Sequence, residues 1–136
     1  MKSFKLVSIL FVIGGLYDGL LGLYFLMFPV KIFDYFEVTR PNHVGYIHFP
    51  ALLLITFGIM FFQIAANPKK NENLIPYGIL LKVSFCSAVF YHWFEKGVPF
   101  FWKPFAFIDL GFMLLFFWAF SALKRERREK DRIELG

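Results

Sequence analysis

Residues 6–30 read LVSILFVIGGLYDGLLGLYFLMFPV, twenty-five positions in which the only Asp, Glu, Lys, Arg or His is Asp18. A helix needs roughly 20 apolar residues to cross about 30 Å of hydrocarbon, so this stretch predicts a membrane-spanning helix. Three further stretches meet the same criterion, 44–65, 74–94 and 100–123. No water reaches backbone polar groups inside a bilayer, so each stretch must close its hydrogen bonds within itself as a helix. The short alternating strands of an outer-membrane barrel do not occur in the sequence. The expected fold is all-α, an antiparallel bundle of four transmembrane helices.

Composition agrees. The chain has 136 residues, 58% hydrophobic and 18% charged, with 21 Phe, and its mean hydropathy is +0.58. Soluble domains are nearer half apolar and a quarter charged, which places this chain outside that class and outside disordered or collagen-like chains. A single cysteine, Cys86, excludes a disulfide scaffold and an internal dithiol cycle. No Gly-rich phosphate loop, dinucleotide fingerprint or nucleophile elbow occurs. The connections carry most of the helix breakers: Pro29 and Pro41 around the first, Asn67-Pro68 in the second, and Gly97-Val98-Pro99 in the third. One transmembrane domain, 1–123, is expected, followed by a charged tail, 124–136.

Lys2 and Lys5 before an apolar run resemble a secretory signal, but the run lacks a small-residue cleavage site and continues to full spanning length. It reads as a retained helix. Four spans put both ends on the side of the 67–73 loop. Ten Lys and Arg fall on that side (Lys2, Lys5, Lys69, Lys70 and six in the tail), against Lys31, Arg40, Lys96 and Lys103 opposite. The excess of basic residues predicts cytoplasmic termini. The tail reads as a topology anchor against anionic head groups, with Glu126 and Lys130 spaced for an i,i+4 pair if the fourth helix runs on. Its six basic residues are offset by four acidic ones, so nucleic acid is not an expected partner.

Asp18, Lys82 and Asp109 lie deep in the first, third and fourth spans. A charge near the bilayer centre costs about 2.5–3.5 kcal/mol on insertion scales, so three in one small protein demand a reason. At 1.5 Å per residue all three fall within about 4 Å of their own span midpoints, and Lys82 is placed to bridge one or both carboxylates. Two roles stay open at this point. The triad is a buried ion network that fixes helix register, or its two carboxylates share a proton as a relay or hold a polar ligand at midplane. Gly14, Gly15, Gly19 and Gly22 on the first span and Gly78 on the third supply small faces for close helix approach. Gly78, Lys82 and Cys86 form a stripe with Ser84 and Ser87 nearby, and bulky Phe and Trp on the fourth span can face lipid. His43, His48 and His92 are candidate ligands on the outer rim, but they lack helical metal-binding spacing, so no metal is expected.

The chain resembles the DoxX-like group of small bacterial four-helix membrane proteins. The resemblance rests on Gly19-Leu-Leu-Gly-Leu-Tyr-Phe-Leu-Met-Phe-Pro29, Gly58-Ile-Met, Asn67-Pro68, Gly78-Ile-Leu-Leu-Lys82 and Asp109-Leu-Gly-Phe. It implies the bacterial cytoplasmic (inner) membrane and a link to quinones or redox complexes, and it carries no catalytic residues over to this chain. The expected function is a non-enzymatic bundle that binds a small lipid-like molecule or supports a membrane complex or homo-oligomer, with no cofactor. The competing expectation is a quinone- or sterol-linked redox subunit that uses Asp18, Lys82 and Asp109 for proton transfer.

Overall fold

The computed structural model describes residues 2–136; Lys2, counted above for topology, has a side chain outside the described set. The order is α1 (Lys2–Met27), α2 (Lys31–Tyr35), α3 (Gly45–Ala66), a 3-10 turn (Glu72–Leu74), α4 (Ile75–Glu95) and α5 (Trp102–Leu135). No strand occurs among the described residues. Four helices are long and apolar enough to cross a membrane, the composition of an integral membrane protein. They are apolar nearly all round: Leu20, Ile59, Leu80 and Leu114 are exposed on the outside of the bundle, as lipid-facing side chains are.

The helix ends follow from local chemistry. α1 stops at Met27, three residues short of the span read from hydropathy, because Pro29 lacks an N–H and disfavours helical geometry at Phe28. The Phe28 N–H closes the last bond, to the Tyr24 carbonyl at 2.8 Å. At the end of α3 the Asn71 amide donates to the Gln63 carbonyl at 2.9 Å and to that of Asn67 at 3.1 Å, reinforcing carbonyls that also accept the Asn67 and Asn71 backbone N–H groups. α4 ends on Gly97 at φ 86°, whose N–H reaches back to the His92 carbonyl at 2.9 Å.

α5 has 34 residues and is about 51 Å long at 1.5 Å per residue, well beyond the hydrocarbon thickness. The tail is therefore the continuation of α5 rather than a separate segment. Arg127 on this extension pairs with Glu72 of the 3-10 turn, and Lys130 lies 3.9 Å from Glu134 one turn on.

α1 packs chiefly on α3 and α4 on α5, with α1 also meeting α5. The bundle divides into two halves. Val7, Leu10 and Phe11 of α1, Phe61 and Ile64 of α3, Ile75 and Ile79 of α4, and Phe112, Phe116, Ala119 and Leu123 of α5 form a closed core. Its centre is aromatic: the Phe11 and Phe116 rings stack 4.6 Å apart, and Phe61 meets Phe116 edge-on at 5.1 Å. The Phe residues are thus not all on the lipid face, as the sequence reading allowed; a Phe set from three helices builds the interior. The other half, where later residues of α1, the middle of α4 and the earlier parts of α3 and α5 meet, holds a cavity.

Candidate functional site

Asp18, Lys82 and Asp109 meet at the boundary between the two halves. They are 1%, 0% and 7% exposed, and they are the buried charged residues among those described. The Lys82 Nζ donates to Asp18 Oδ1 at 2.9 Å, to Asp18 Oδ2 at 3.0 Å and to Asp109 Oδ1 at 3.0 Å. The two Asp18 oxygens lie too close together for two tetrahedral N–H bonds, so one N–H is shared between them and a second goes to Asp109. Phe112 and Tyr17 flank it, with ring centroids 5.1 and 5.3 Å from Nζ, so π faces cover the cation where carboxylates do not. Of the two roles left open by the sequence, the bridge itself is present, and Lys82 spans both acids.

The valences are not balanced. Both Asp18 oxygens are engaged, whereas Asp109 accepts from Lys82 through Oδ1 alone. The Tyr17 hydroxyl, one residue from Asp18, is buried and has no hydrogen-bond partner. A buried hydroxyl without a partner is uncommon in native interiors and marks a place where something else completes the network.

These groups face the cavity, which has a volume of about 410 Å³. Tyr17, Asp18 and Asp109 line its end nearest the packed core, and its walls are apolar, among them Phe25, Ala51, Leu54, Phe85 and Phe105. The volume falls within the roughly 300–1,000 Å³ of small-molecule sites, and the lining, mostly apolar with a few convergent polar groups, is the usual pattern of such sites. Pro50 forms part of the α3 wall; lacking an N–H, it leaves the Tyr46 carbonyl without its helical donor. Phe33 of α2 closes on the same space and packs edge-on against Phe101 at 5.6 Å.

Small residues set how closely the helices approach around this site. A Cβ at Gly22 would sit 2.6 Å from the Ala51 carbonyl oxygen, and one at Gly58 would sit 3.0 Å from backbone atoms of Gly15 and Gly19. These contacts are with backbone, which cannot rotate aside. At Gly15 and Gly78 the obstacles are the rings of Phe62 and Phe61, at 2.9 and 2.7 Å, while Gly14 has ordinary contacts and Gly19 has open space on its own Cβ side. Gly58 was not singled out for packing in the sequence, although Gly58-Ile-Met was visible there. Cys86 lies beside the triad and its thiol contacts the Ala106 carbonyl at 3.5 Å. Ser84 is exposed and donates to the Leu80 carbonyl of its own helix at 2.7 Å, so it adds nothing to the polar centre.

The outer-rim histidines are not built into the site. His43 is exposed and its Nδ1 accepts from the Gly45 backbone at 2.9 Å; His92 is exposed; His48 is half-buried with Nε2 unpartnered. Among the described residues no group of His, Cys, Asp and Glu is arranged to hold a metal ion.

No family model, no curated protein and no solved structure matches the chain.

Proposed function

We propose that this protein is a non-enzymatic membrane bundle that holds a small lipid-like molecule in the cavity, with the Asp18–Lys82–Asp109 triad closing one end. The observation that carries the reading is the 410 Å³ apolar cavity ending on buried polar groups with unfilled hydrogen-bonding capacity. A triad serving helix register alone needs no cavity beside it.

The arrangement proposed for the bundle is antiparallel, with both termini cytoplasmic. The contacts of α1 with α3 support this, since Gly15 lies against Phe62 while Gly22 lies against Ala51. With the ten-to-four excess of Lys and Arg on the terminal side, the cavity lies in the outer half of the membrane. The motif resemblance to the DoxX-like group supports the bacterial cytoplasmic membrane as the setting, and association with a membrane complex or a second copy belongs to the same reading.

The experiment is extraction in mild detergent followed by native mass spectrometry of the intact protein. The expected result is a co-purified small apolar molecule that is lost in Leu54→Trp, which fills the cavity, while the helical signal and melting temperature remain. If the folded wild-type protein carries no bound molecule and takes up no apolar probe saturably, the proposal falls.

A second reading, a quinone- or sterol-linked redox subunit, is favoured by one observation: Tyr17, Asp18 and Asp109 are proton-carrying groups placed where a ligand's polar end would lie. Co-purified quinone whose turnover with a partner complex fails in Asp109→Asn would select it.

A further inference from the structure

The polar end of the cavity is not chemically symmetric between donors and acceptors. Lys82 is fully buried and does not line the cavity, so it offers no N–H to a ligand. Asp18 has no oxygen without a partner. The groups with capacity to spare are Asp109 Oδ2, which accepts from none of the described residues, and the Tyr17 hydroxyl, buried without a partner beside the cavity's end, which can donate once and accept. Two carboxylic groups against one ammonium add an excess of acceptor and of negative charge.

From this we infer that the cavity selects single-chain amphiphiles whose head group donates a hydrogen bond, a hydroxyl or an ammonium, and that Asp109 is the residue that reads it. The inference rests on the proposal that the cavity holds a lipid-like molecule, and adds which kind. A hydroxyl head has both capacities, donating to Asp109 and accepting from Tyr17. An ammonium head satisfies Asp109 and also equalises the charge of the triad. An ether or a ketone offers an acceptor to Tyr17 alone and leaves the Asp109 oxygen desolvated and unpaired, the costly outcome for a buried polar group. A carboxylate head adds a third negative group. The apolar walls, Phe25, Leu54, Phe85 and Phe105 among them, suit an unbranched or isoprenoid chain and offer no further polar contact to redirect it.

Trp102 lines the cavity and supplies the reporter. With Trp93→Phe and Trp118→Phe, the full-length protein in lipid nanodiscs has Trp102 as its single tryptophan. Four quenchers share one chain and differ in the head: ω-bromodecanol, ω-bromodecylamine, the methyl ether of ω-bromodecanol and ω-bromodecanoic acid. The alcohol and the amine are expected to quench Trp102 saturably, with affinities about tenfold or more above the ether and the acid. In Asp109→Asn, whose amide also donates, this preference is expected to shrink to about threefold or less. Equal quenching by all four would overturn head-group selection while leaving the cavity's role as a lipid-holding site intact. A full preference retained in Asp109→Asn would overturn the assignment to Asp109. No saturable quenching by any of them would overturn both this inference and the proposed function.

Discussion

The Lys82 ammonium grips Asp18 through both carboxylate oxygens, at 2.9 and 3.0 Å, although the two residues are 64 positions apart in the chain. Its contact with Asp109 is through one oxygen at 3.0 Å. Asp18 is therefore the structural partner and Asp109 the one with capacity to spare. Removing Lys82 leaves two buried carboxylates without their counter-charge, at a cost of about 3–5 kcal/mol, whereas removing one carboxylate leaves a balanced pair and costs less. Lys82→Met should lower stability by that amount, and Asp18→Asn should cost more than Asp109→Asn. Lys82→Met combined with Asp18→Asn and Asp109→Asn should recover much of the loss, because no unpaired charge remains. Unfolding in mild detergent, followed by far-ultraviolet circular dichroism, measures all four.

Helix approach at Gly22 is limited by backbone. Since its Cβ would meet the Ala51 carbonyl oxygen at 2.6 Å, Gly22→Ala should destabilise the contact of α1 with α3 by about 1–3 kcal/mol. Gly19→Ala, with open space around the new methyl, should stay within about 0.5 kcal/mol of wild type. Melting temperatures of the two variants in the same detergent separate a packing role from a general effect of adding Cβ to a helix.

The aromatic core makes a similar contrast one residue apart. Phe116 is buried among Phe11, Phe61 and Phe112, whereas Phe117 is exposed on the outer face. Phe116→Ala should cost about 3–5 kcal/mol, and Phe117→Ala a small fraction of that. Thermal unfolding of both variants, in one detergent, is the comparison to make.

Legibility in the sequence followed what hydropathy and depth can encode. The four spans were readable because a bilayer demands long apolar helices, and the triad because Asp18, Lys82 and Asp109 are conspicuous inside them and fall at matching depths. The division of Phe residues between core and lipid was not readable: in a membrane both environments are apolar, so Phe116 and Phe117 look alike until the helices are packed. The cavity was hidden for the same reason, since it is a deficit of volume, and Leu54 or Phe85 carries no sign of it. Tyr17 was overlooked although it adjoins Asp18, because its missing hydrogen-bond partner is a property of the assembled bundle.

Outside the membrane spans, the α2 segment is tied by a surface pair. Arg40 Nε donates to Asp34 Oδ1 at 2.7 Å and a second guanidinium nitrogen reaches Oδ2. The hydrogen bond from Arg40 holds the Asp34 carboxyl below its ordinary value. The sign follows directly: a carboxyl depressed in the folded state adds stability above its unfolded value of about 4, and loses it as pH falls through the folded value. At neutral pH, Asp34→Asn should therefore speed backbone hydrogen exchange over residues 31–40 relative to wild type. At a pH below the folded value the two proteins should exchange alike. Both side chains are well exposed, so added salt should also narrow the difference.

Whether the cavity holds a lipid-like molecule is measured most directly by an experimental density map of the protein purified into lipid nanodiscs. Elongated, non-protein density is expected between the Phe25, Ala51 and Phe105 walls, with its polar end against Tyr17 and Asp109. A cavity closed by side-chain collapse, or filled by water alone, with the Asp18–Lys82–Asp109 triad unchanged would contradict the proposed function.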